Sequence, residues 1–424
     1  MFQSGVSSRV LPEKYSYAVP SSRPGFRPVP IRCSGRTLSD HRTRFVSLTI
    51  EGRMTYRRQH QPRVVVITGA SAGVGRATVR EFAREGAWIG LVARSRDGLE
   101  GARKEVEVAG GRALVLPTDV AYPDQVDGAA EMVERRFGPI DVWVNNAMAS
   151  VLSPAMKMTA EEYQRVTDVT YLGYVYGTLA ALRRMVPRDA GVIVQVGSAL
   201  AYRSIPLQSA YCGAKHAVQG FVDSLRSELL HDGSRVHITT VQLPAVNTPQ
   251  FDWIKSRMPC HPQPVPPIYQ PEVIARAILW ASRHRRREIA VGLPTVKAIV
   301  GQKFIPGLLD HYLAWKGYKA QQTTERVAPD RPNNLFHPLP GDHGAHGRFD
   351  EGAYEFSLQF WLNQRRLWLA VAALAAGAYS AESGHRFRVN PATTRSPATQ
   401  GLSDLSWVAD FRPISPAVCA WILP

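Results

Sequence analysis

The chain has 424 residues, of which 45% are apolar and 20% are charged, the usual balance for a globular protein with a sizeable core. Its formal net charge of +16 favours anionic ligands or surfaces, but no basic run is interleaved with aromatic residues, so no nucleic-acid partner is expected. Four cysteines that lie far apart are too few for a disulfide framework and have no metal-ligand spacing. We therefore expect a reducing, cytoplasmic compartment and no metal site.

Residues 1–60 do not form a predicted domain. They are rich in Arg, Ser and Pro, and they contain neither apolar periodicity nor an apolar run long enough for a secretory signal. Two interpretations stay open for this segment. It is either a disordered or spurious extension, with Met54 as the true start, or a targeting segment.

From residue 61 to about residue 300, short apolar strands alternate with amphipathic helices. Strands are predicted at 63–68, 87–93, 112–117, 140–146, 191–197, 236–243 and 288–292, and helices at 74–85, 98–109, 123–137, 160–185, 209–230 and 271–282. This alternation is typical of βαβ units that build a parallel sheet. It predicts an α/β fold with a doubly wound, seven-stranded parallel sheet and helices on both faces.

After residue 300 the alternation stops. Residues 301–366 are predicted to be an extended C-terminal segment, in which "DHGAH" (342–346) is a loop rather than a metal site. Residues 367–381 are predicted to be an apolar helix of about 22 Å, short of the roughly 30 Å hydrocarbon core of a bilayer. This helix either packs on protein or, extended to 360–381, contacts a membrane. The tail 382–424 is predicted to be disordered.

The stretch "TGASAGVG" (68–75) lies between the first strand and the first helix. Its glycines, Gly69, Gly73 and Gly75, allow positive φ and let a ligand approach the backbone closely. The start of the helix adds unpaired N–H groups and the positive end of the helix dipole. The turn, with Ser71 and Val74, is therefore predicted to bind the pyrophosphate of a dinucleotide.

Further cofactor-binding residues are predicted where later strands end. The second strand is followed by Arg94 and not by the acid that an NAD ribose requires, and a guanidinium suits a 2′-phosphate. The sequence therefore favours NADP(H) over NAD(H). Asp119 is a candidate for the adenine amino group. Asn145 and Ala147, in "NNA", are candidates for supporting the strands and the adenosine side of the cofactor.

A serine, a tyrosine and a lysine form the predicted catalytic set. Ser198 directly follows the fifth strand, and Tyr211 and Lys215 lie one helical turn apart at the start of the next helix. A second pair, Tyr312 and Lys316, has the same spacing but no strand or serine upstream. An ammonium lowers the pKa of a neighbouring phenol from about 10, so Tyr211 is predicted to exchange a proton while Ser198 binds the substrate oxygen.

These motifs, "TGASAGVG", "NNA", Ser198 and "YCGAK" (211–215), resemble the classical short-chain dehydrogenase/reductase family over about residues 62–295. The resemblance implies a Rossmann fold, a nicotinamide cofactor and a reaction between an alcohol and a ketone or aldehyde. It also implies the roles given above to Ser198, Tyr211 and Lys215, with Lys215 binding the nicotinamide ribose. A homodimer or homotetramer is expected.

The chain departs from the family pattern at two places. The family's Asn-x-x-Gly, which holds a relay water, has Thr170 here, so Thr170 either holds that water or the proton relay is altered. The family's Pro-Gly is Pro244-Ala245, while Thr248 is retained, and Pro244 and Thr248 are predicted to contact the cofactor. Thr170 also favours an alternative function, a weakly catalytic nucleotide-binding regulator or scaffold, with or without a membrane anchor.

Residues 246–269 occupy the position of the family's substrate lid. Phe251 and Trp253 are bulky and apolar, and they predict a hydrophobic carbonyl or alcohol substrate. The alternative is that these side chains pack on the C-terminal segment.

Overall fold

The structure is a computed structural model that describes residues 62–328, 330–366 and 371. The predictions for residues 1–60 and 382–424 lie outside the described residues, as does all of the apolar segment 367–381 except Val371.

A seven-stranded parallel sheet forms the centre of the fold. Its strands are β1 (Val64–Thr68), β2 (Trp88–Ala93), β3 (Arg112–Pro117), β4 (Val142–Asn145), β6 (Val192–Val196), β7 (His237–Gln242) and β12 (Glu288–Ala290). The described residues also form the strands β5 (Val151–Leu152), β8 (Ala245–Val246), β9 (Lys255–Ser256), β10 (Cys260–Pro262), β11 (Ile268–Tyr269), β13 (Gln322–Arg326) and β14 (Ala353–Tyr354) outside the central sheet. The strand order in the sheet is β12-β7-β6-β4-β1-β2-β3. The chain adds β2 and β3 on one side of β1 and then crosses back to add β4 and the later strands on the other side, so the predicted doubly wound parallel sheet is confirmed.

Helices cover both faces of this sheet. They are α1 (Gly73–Ala83), α2 (Arg96–Val108), α3 (Pro123–Phe137), α4 (Ala160–Thr167), α5 (Gly173–Met185), α6 (Ser209–His231), α7 (Gln250–Trp253), α8 (Pro271–Ala281), α9 (Leu293–Phe304), α10 (Pro306–Ala320) and α11 (Leu358–Gln364). The single helix predicted for 160–185 is α4 and α5 joined by a π-helical turn, Asp168–Leu172. That turn contains Thr170.

The core lies in two layers that the sheet separates. Along β1, Val64 and Val66 pack towards α3, α5 and α6, whereas Val65 and Ile67 pack towards α1, α2 and α8. This alternation follows from the two-residue period of a strand, and both faces are apolar because both are covered.

The C-terminal part differs from the extended segment predicted for 301–366. Helices α9 and α10 occupy its beginning, because residues 293–320 contain enough apolar residues and helix formers for two consecutive regular helices of 12 and 15 residues. The following chain is docked on the domain: β13 pairs with β10, β14 pairs with β11, and Leu335 is fully buried. Within the described part of the chain, no helix is both long and apolar enough to cross a bilayer.

Candidate active site

The glycine turn between β1 and α1 has the backbone geometry that its sequence predicts. Gly69 and Gly73 adopt φ of 68° and 57°, and a side chain on Gly75 would collide with the carbonyl oxygen of Gly69. The Asn146 amide donates to the carbonyls of Thr68 and Gly69, at 3.0 and 3.3 Å, and holds the turn from the β4 side. The sequence analysis missed Asn146, although it is the second residue of "NNA".

One open cavity of about 440 Å³ joins this turn to the predicted catalytic set. Most of the predicted site residues line it: Gly69, Ser71, Gly73, Val74, Arg94, Asp119, Ala147, Ser198, Tyr211, Lys215, Pro244, Thr248, Phe251 and Trp253. Gly75, Asn145 and Thr170 do not line the cavity. A single ligand that extends along the cavity would therefore contact the glycine turn at one end and Tyr211 at the other.

Ser198 and Tyr211 meet in this cavity at the carboxyl end of β6. Both side chains line the cavity, and Ser198 is the neighbour that most lowers the pKa of the Tyr211 phenol. Ser198 is held in turn by its own N–H, which donates to Gln242 Oε1 at 2.7 Å, and by its Oγ, which accepts from the Leu200 N–H at 3.1 Å. Lys215, one turn along α6, has its Nζ 5.7 Å from the centre of the Tyr211 ring.

The electrostatics of this set differ from the sequence-based expectation. Burial raises the pKa of Tyr211 above its usual value, and the neighbouring Ser198 offsets this only in part. Burial also lowers the pKa of Lys215 to about 7. In this structure the pKa of Tyr211 therefore does not fall below its usual value as expected, because the loss of solvent around the phenol dominates. The stabilisation of the phenolate by Lys215 stays a prediction.

The Lys215 amine is held by Tyr174, a residue that the sequence analysis missed. Lys215 Nζ donates to the Tyr174 hydroxyl at 2.9 Å and to the Val196 carbonyl at 2.7 Å. The Tyr174 hydroxyl donates to the same carbonyl at 2.9 Å, and the side chain is buried. A tyrosine directly after Gly173, one turn beyond Thr170, was the available signal.

Thr170 lies in the π-helical turn and outside the cavity. Its hydroxyl donates to the Ala149 carbonyl at 2.8 Å and accepts from the Ala149 N–H at 2.9 Å. The only donor of this side chain is thus used to tie the turn to the loop after β4. Its predicted contact with a relay water stays a prediction.

Asn145 lies inside the sheet and does not face the adenosine end of the cavity. Its amide donates to Thr178 Oγ1 at 3.0 Å and to Gln195 Oε1 at 3.1 Å, and its Oδ1 accepts from Trp143 Nε1 at 2.8 Å. The side chain therefore links β4 to β6 and α5, which is the strand-supporting half of its predicted role.

A C-terminal segment, residues 334–347, forms the outer wall of the cavity, and we call it the strap. Residues of the strap that line the cavity are Asn334, Pro338, Leu339, Gly341 and His343. The Gly344 carbonyl accepts the N–H of Gly73 at 3.0 Å, at the glycine turn itself. The buried Arg76 holds Asp342 through two hydrogen bonds of 2.9 and 3.1 Å.

The strap also engages the two side chains predicted for the adenosine end. Arg94 donates to the carbonyls of Asn334, Leu335 and Phe336, at 2.5, 3.3 and 2.9 Å. Asp119 pairs with Arg165 at 2.6 Å, and Arg165 donates to the Leu335 carbonyl at 3.0 Å. The strap is therefore docked on the end of the cavity that the sequence assigns to the adenosine, although most of its residues are also exposed to solvent.

Phe251 and Trp253 line the cavity and also pack on the C-terminal segment, and the hydrophobic substrate they predict stays a prediction. Both lie on α7 and line the cavity. The Phe251 ring also packs edge-on against Phe349, with centres 6.4 Å apart, and the Trp253 ring against His343, with centres 4.7 Å apart. The C-terminal segment thus fixes the positions of these two rings in the cavity wall.

Comparison with known proteins decides the family. The family model described as short chain dehydrogenase matches residues 63–258. The uncharacterized oxidoreductase YxnA of Bacillus subtilis is 30% identical over 330 residues, which cover 77% of this chain and 91% of that protein. This chain belongs to the short-chain dehydrogenase family. It is accordingly an oxidoreductase of that family, and its cofactor is a nicotinamide dinucleotide.

In two further matches, the aligned region covers most of the relative's own length. The uncharacterized oxidoreductase SSP1627 of Staphylococcus saprophyticus is 34% identical over 223 residues, 52% of this chain and 89% of that protein. The fatty acyl-CoA reductase of Acinetobacter baylyi is 28% identical over 246 residues, 58% of this chain and 81% of that protein.

The cavity of this short-chain dehydrogenase fits a nicotinamide dinucleotide on its own geometry. The positive φ of Gly69 and Gly73, and the collision that a side chain on Gly75 would cause, keep side chains away from the start of α1, where a pyrophosphate can approach the backbone. One of the N–H groups there, that of Gly73, already donates to the Gly344 carbonyl of the strap. Ser198 and Tyr211 line the same cavity.

Proposed function

We propose that this chain is an NADP(H)-dependent oxidoreductase that interconverts a ketone or aldehyde and the corresponding alcohol, on a hydrophobic substrate. The observation that carries the proposal is that Ser198, Tyr211 and Lys215 line the same cavity as the glycine turn. This arrangement supports Tyr211 as the proton donor and Ser198 as the hydroxyl that binds the carbonyl oxygen.

Ser198 and Tyr211 act together on the substrate oxygen. In the reductive direction, the Ser198 hydroxyl hydrogen-bonds the carbonyl oxygen and Tyr211 transfers its proton to that oxygen. The bound nicotinamide supplies the hydride that the carbonyl carbon accepts. The products are the alcohol and the Tyr211 phenolate, and oxidation is the reverse. Since burial raises the pKa of Tyr211, the phenol keeps its proton until negative charge develops on the substrate oxygen.

Lys215 stabilises the phenolate that proton transfer creates, and Tyr174 is its positioning residue. A buried ammonium near the Tyr211 ring becomes more favourable once that ring carries negative charge. The Tyr174 hydroxyl and the Val196 carbonyl, on residues that also line the cavity, each accept a hydrogen bond from the amine and fix its position.

The preference for NADP(H) rests on Arg94. Its guanidinium lines the cavity, and the residue after β2 is not an acid. The amino groups of Arg94 now donate to neutral carbonyls of the strap. A 2′-phosphate would compete well for these donors, because hydrogen bonds between two charged groups are stronger than those to a neutral acceptor.

The substrate class follows from the apolar walls near Ser198. Leu200, Ile205, Val265 and the two aromatic residues of α7 all line the cavity. The fatty acyl-CoA reductase among the relatives supports the same class. We therefore place aldehydes and ketones with long alkyl chains, and bulky cyclic ketones, first in a substrate panel.

The experiment follows NADPH consumption by the full chain across this panel. Tyr211→Phe should lower kcat by about a hundred- to ten-thousand-fold, the usual contribution of a positioned proton donor, with NADPH binding retained. Tyr312→Phe is the matched control, because it removes a hydroxyl from the second Tyr–Lys pair, and it should leave kcat unchanged. Turnover of small polar substrates alone would refute the hydrophobic class.

A protein that binds NADPH but turns over nothing on the panel would favour the alternative function, a nucleotide-binding regulator or scaffold. The engagement of the Thr170 hydroxyl with Ala149 is the observation that favours this alternative. The predicted homodimer or homotetramer and the cytoplasmic location stay predictions, and light scattering on the purified chain tests the first of them.

A further inference from the structure

Helices α9 and α10 carry an apolar surface that the rest of the described chain leaves uncovered. We call it the α9–α10 surface, and its exposed apolar residues are Leu293, Val300, Phe304, Leu308, Trp315 and Tyr318. Phe304, Leu308 and Trp315 are 78%, 64% and 73% exposed. Across both helices, only Thr295 and Gly317 are buried. Exposed apolar patches of this kind mark interaction sites.

The charges on the same two helices are almost all positive. Four lysines lie there, at positions 297, 303, 316 and 319, against one acid, Asp310. Asp310 is itself paired with Arg203, at 2.5 Å. Lys316 lies 4.8 Å from the centre of the Trp315 ring, so charge and aromatic surface are adjacent. Exposed lysines beside exposed Trp, Phe and Leu side chains suit the interface of an anionic membrane, where the charges meet headgroups and the apolar side chains meet acyl chains.

A second copy of the chain suits this surface less well. An isologous contact brings the same patch of two subunits together, so the lysines of one copy would face the lysines of the other. Anionic phospholipid headgroups instead complement the lysines while the acyl region takes the aromatic and aliphatic side chains.

The α9–α10 surface is also attached directly to the active site. Pro294, Thr295 and Ala298, all on α9, line the cavity. Arg203, in the loop between Ser198 and Tyr211, donates to Gln302 Oε1 at 2.8 Å and so fastens α9 to that loop. An apolar molecule that leaves a membrane at this surface would therefore lie beside the cavity wall.

We propose that the α9–α10 surface docks the protein reversibly on an anionic phospholipid membrane. The two helices lie in the headgroup interface and do not span the bilayer. The docking itself is independent of the proposed reaction, and only its use in delivering a hydrophobic substrate rests on the proposed function.

Vesicle co-sedimentation of the full chain tests this proposal without any substrate. The vesicles are phosphatidylcholine alone and phosphatidylcholine mixed with phosphatidylglycerol, and the parent should bind only the mixture. Phe304→Ser/Trp315→Ser should weaken that binding about a hundredfold, since each of the two large apolar side chains contributes roughly tenfold when buried. Lys316→Glu/Lys319→Glu should weaken it by a similar factor without removing apolar surface.

Val108→Ser/Leu230→Ser is the matched control, because these side chains are 90% and 74% exposed on other helices. It should bind as the parent does, and circular dichroism should show all variants folded. Equal binding by the parent and both α9–α10 variants would overturn the proposal. It would indicate that another segment, such as 367–381, contacts the membrane. No binding by the parent, with a loss of self-association in Phe304→Ser/Trp315→Ser, would overturn it in favour of a second copy.

Discussion

Tyr211 and Tyr312 each precede a lysine by four residues, but the two pairs lie in different surroundings. Lys215 is 2% exposed, and its amine bonds to Tyr174 and Val196 inside the protein. Lys316 is exposed, and its amine lies 6.0 Å from the centre of the Tyr312 ring. Burial, and not the spacing of the pair, therefore lowers the pKa of Lys215 to about 7. The charge of its amine then changes with pH near neutrality.

A pH limb near neutrality follows from that shift. The Lys215 amine is charged below its pKa of about 7 and neutral above it, so stabilisation of the Tyr211 phenolate is lost as the pH rises through that value. We expect kcat/KM for NADPH, which reports the free enzyme, to fall with rising pH along a limb near 7. Tyr174→Phe removes an acceptor that favours the ammonium, so this limb should move to lower pH by about one unit.

Tyr176→Phe is the control for this shift, since Tyr176 lies on the same helix but does not contact Lys215. Its pH profile should match that of the parent. If Tyr174→Phe merely lowered kcat at every pH without moving the limb, Tyr174 would have a structural role only.

Neighbouring residues show how far the sequence can assign such roles. Asn145 and Asn146 are adjacent, yet Asn145 links the strands while Asn146 holds the glycine turn. In a strand, successive side chains point to opposite faces, so the two cannot share a role, but the sequence does not say which face meets the cavity. Tyr174 was missed for a different reason. Its contact with Lys215 joins residues 41 positions apart, and no local pattern in the sequence reports such a contact.

At the scale of elements, the βαβ region was predictable and the strap was not. Strands and helices of residues 63–292 have local apolar periodicity, which reports their buried faces directly. The strap has no such period, and it is held by contacts such as that between Arg76 and Asp342, 266 residues apart. The π-helical turn was missed because its sequence continues the helical pattern of α4 and α5.

The strap should slow the release of the nucleotide. Asp342→Asn removes its charge from the pair with Arg76, while Arg76 keeps its hydrogen bonds to Glu105 at 2.8 and 3.1 Å. The fold should therefore survive while the outer wall of the cavity loosens. We expect NADPH to dissociate about tenfold faster, because a charged hydrogen bond of this kind contributes roughly 1.5–3 kcal/mol. Stopped-flow fluorescence of bound NADPH measures the rate.

Glu351→Gln, which neutralises an exposed carboxylate outside the strap, is the matched control and should release NADPH at the parental rate. Tighter NADPH binding in Asp342→Asn would show the opposite arrangement, in which the strap competes with the nucleotide for the cavity.

At the scale of the whole molecule, the cavity lies between the sheet and the C-terminal chain, so a bound nucleotide touches both. Arg94 extends from the end of β2 and holds carbonyls of the strap, and the glycine turn binds the strap through Gly73. A ligand in this cavity stabilises the folded state through contacts with parts of the chain that are distant in sequence. The stabilisation should therefore appear in global unfolding.

Thermal unfolding with each nucleotide then tests the NADP(H) preference. A ligand at a hundred times its Kd adds about 2.7 kcal/mol to the free energy of unfolding, enough to raise Tm by several degrees. NADP⁺ should raise Tm more than NAD⁺ does at equal concentration. Arg94→Gln should reduce the NADP⁺ shift to the NAD⁺ level, because the 2′-phosphate loses its guanidinium, whereas Arg96→Gln, at an exposed neighbouring arginine, should keep the difference. An undiminished NADP⁺ preference in Arg94→Gln would place the 2′-phosphate on another residue.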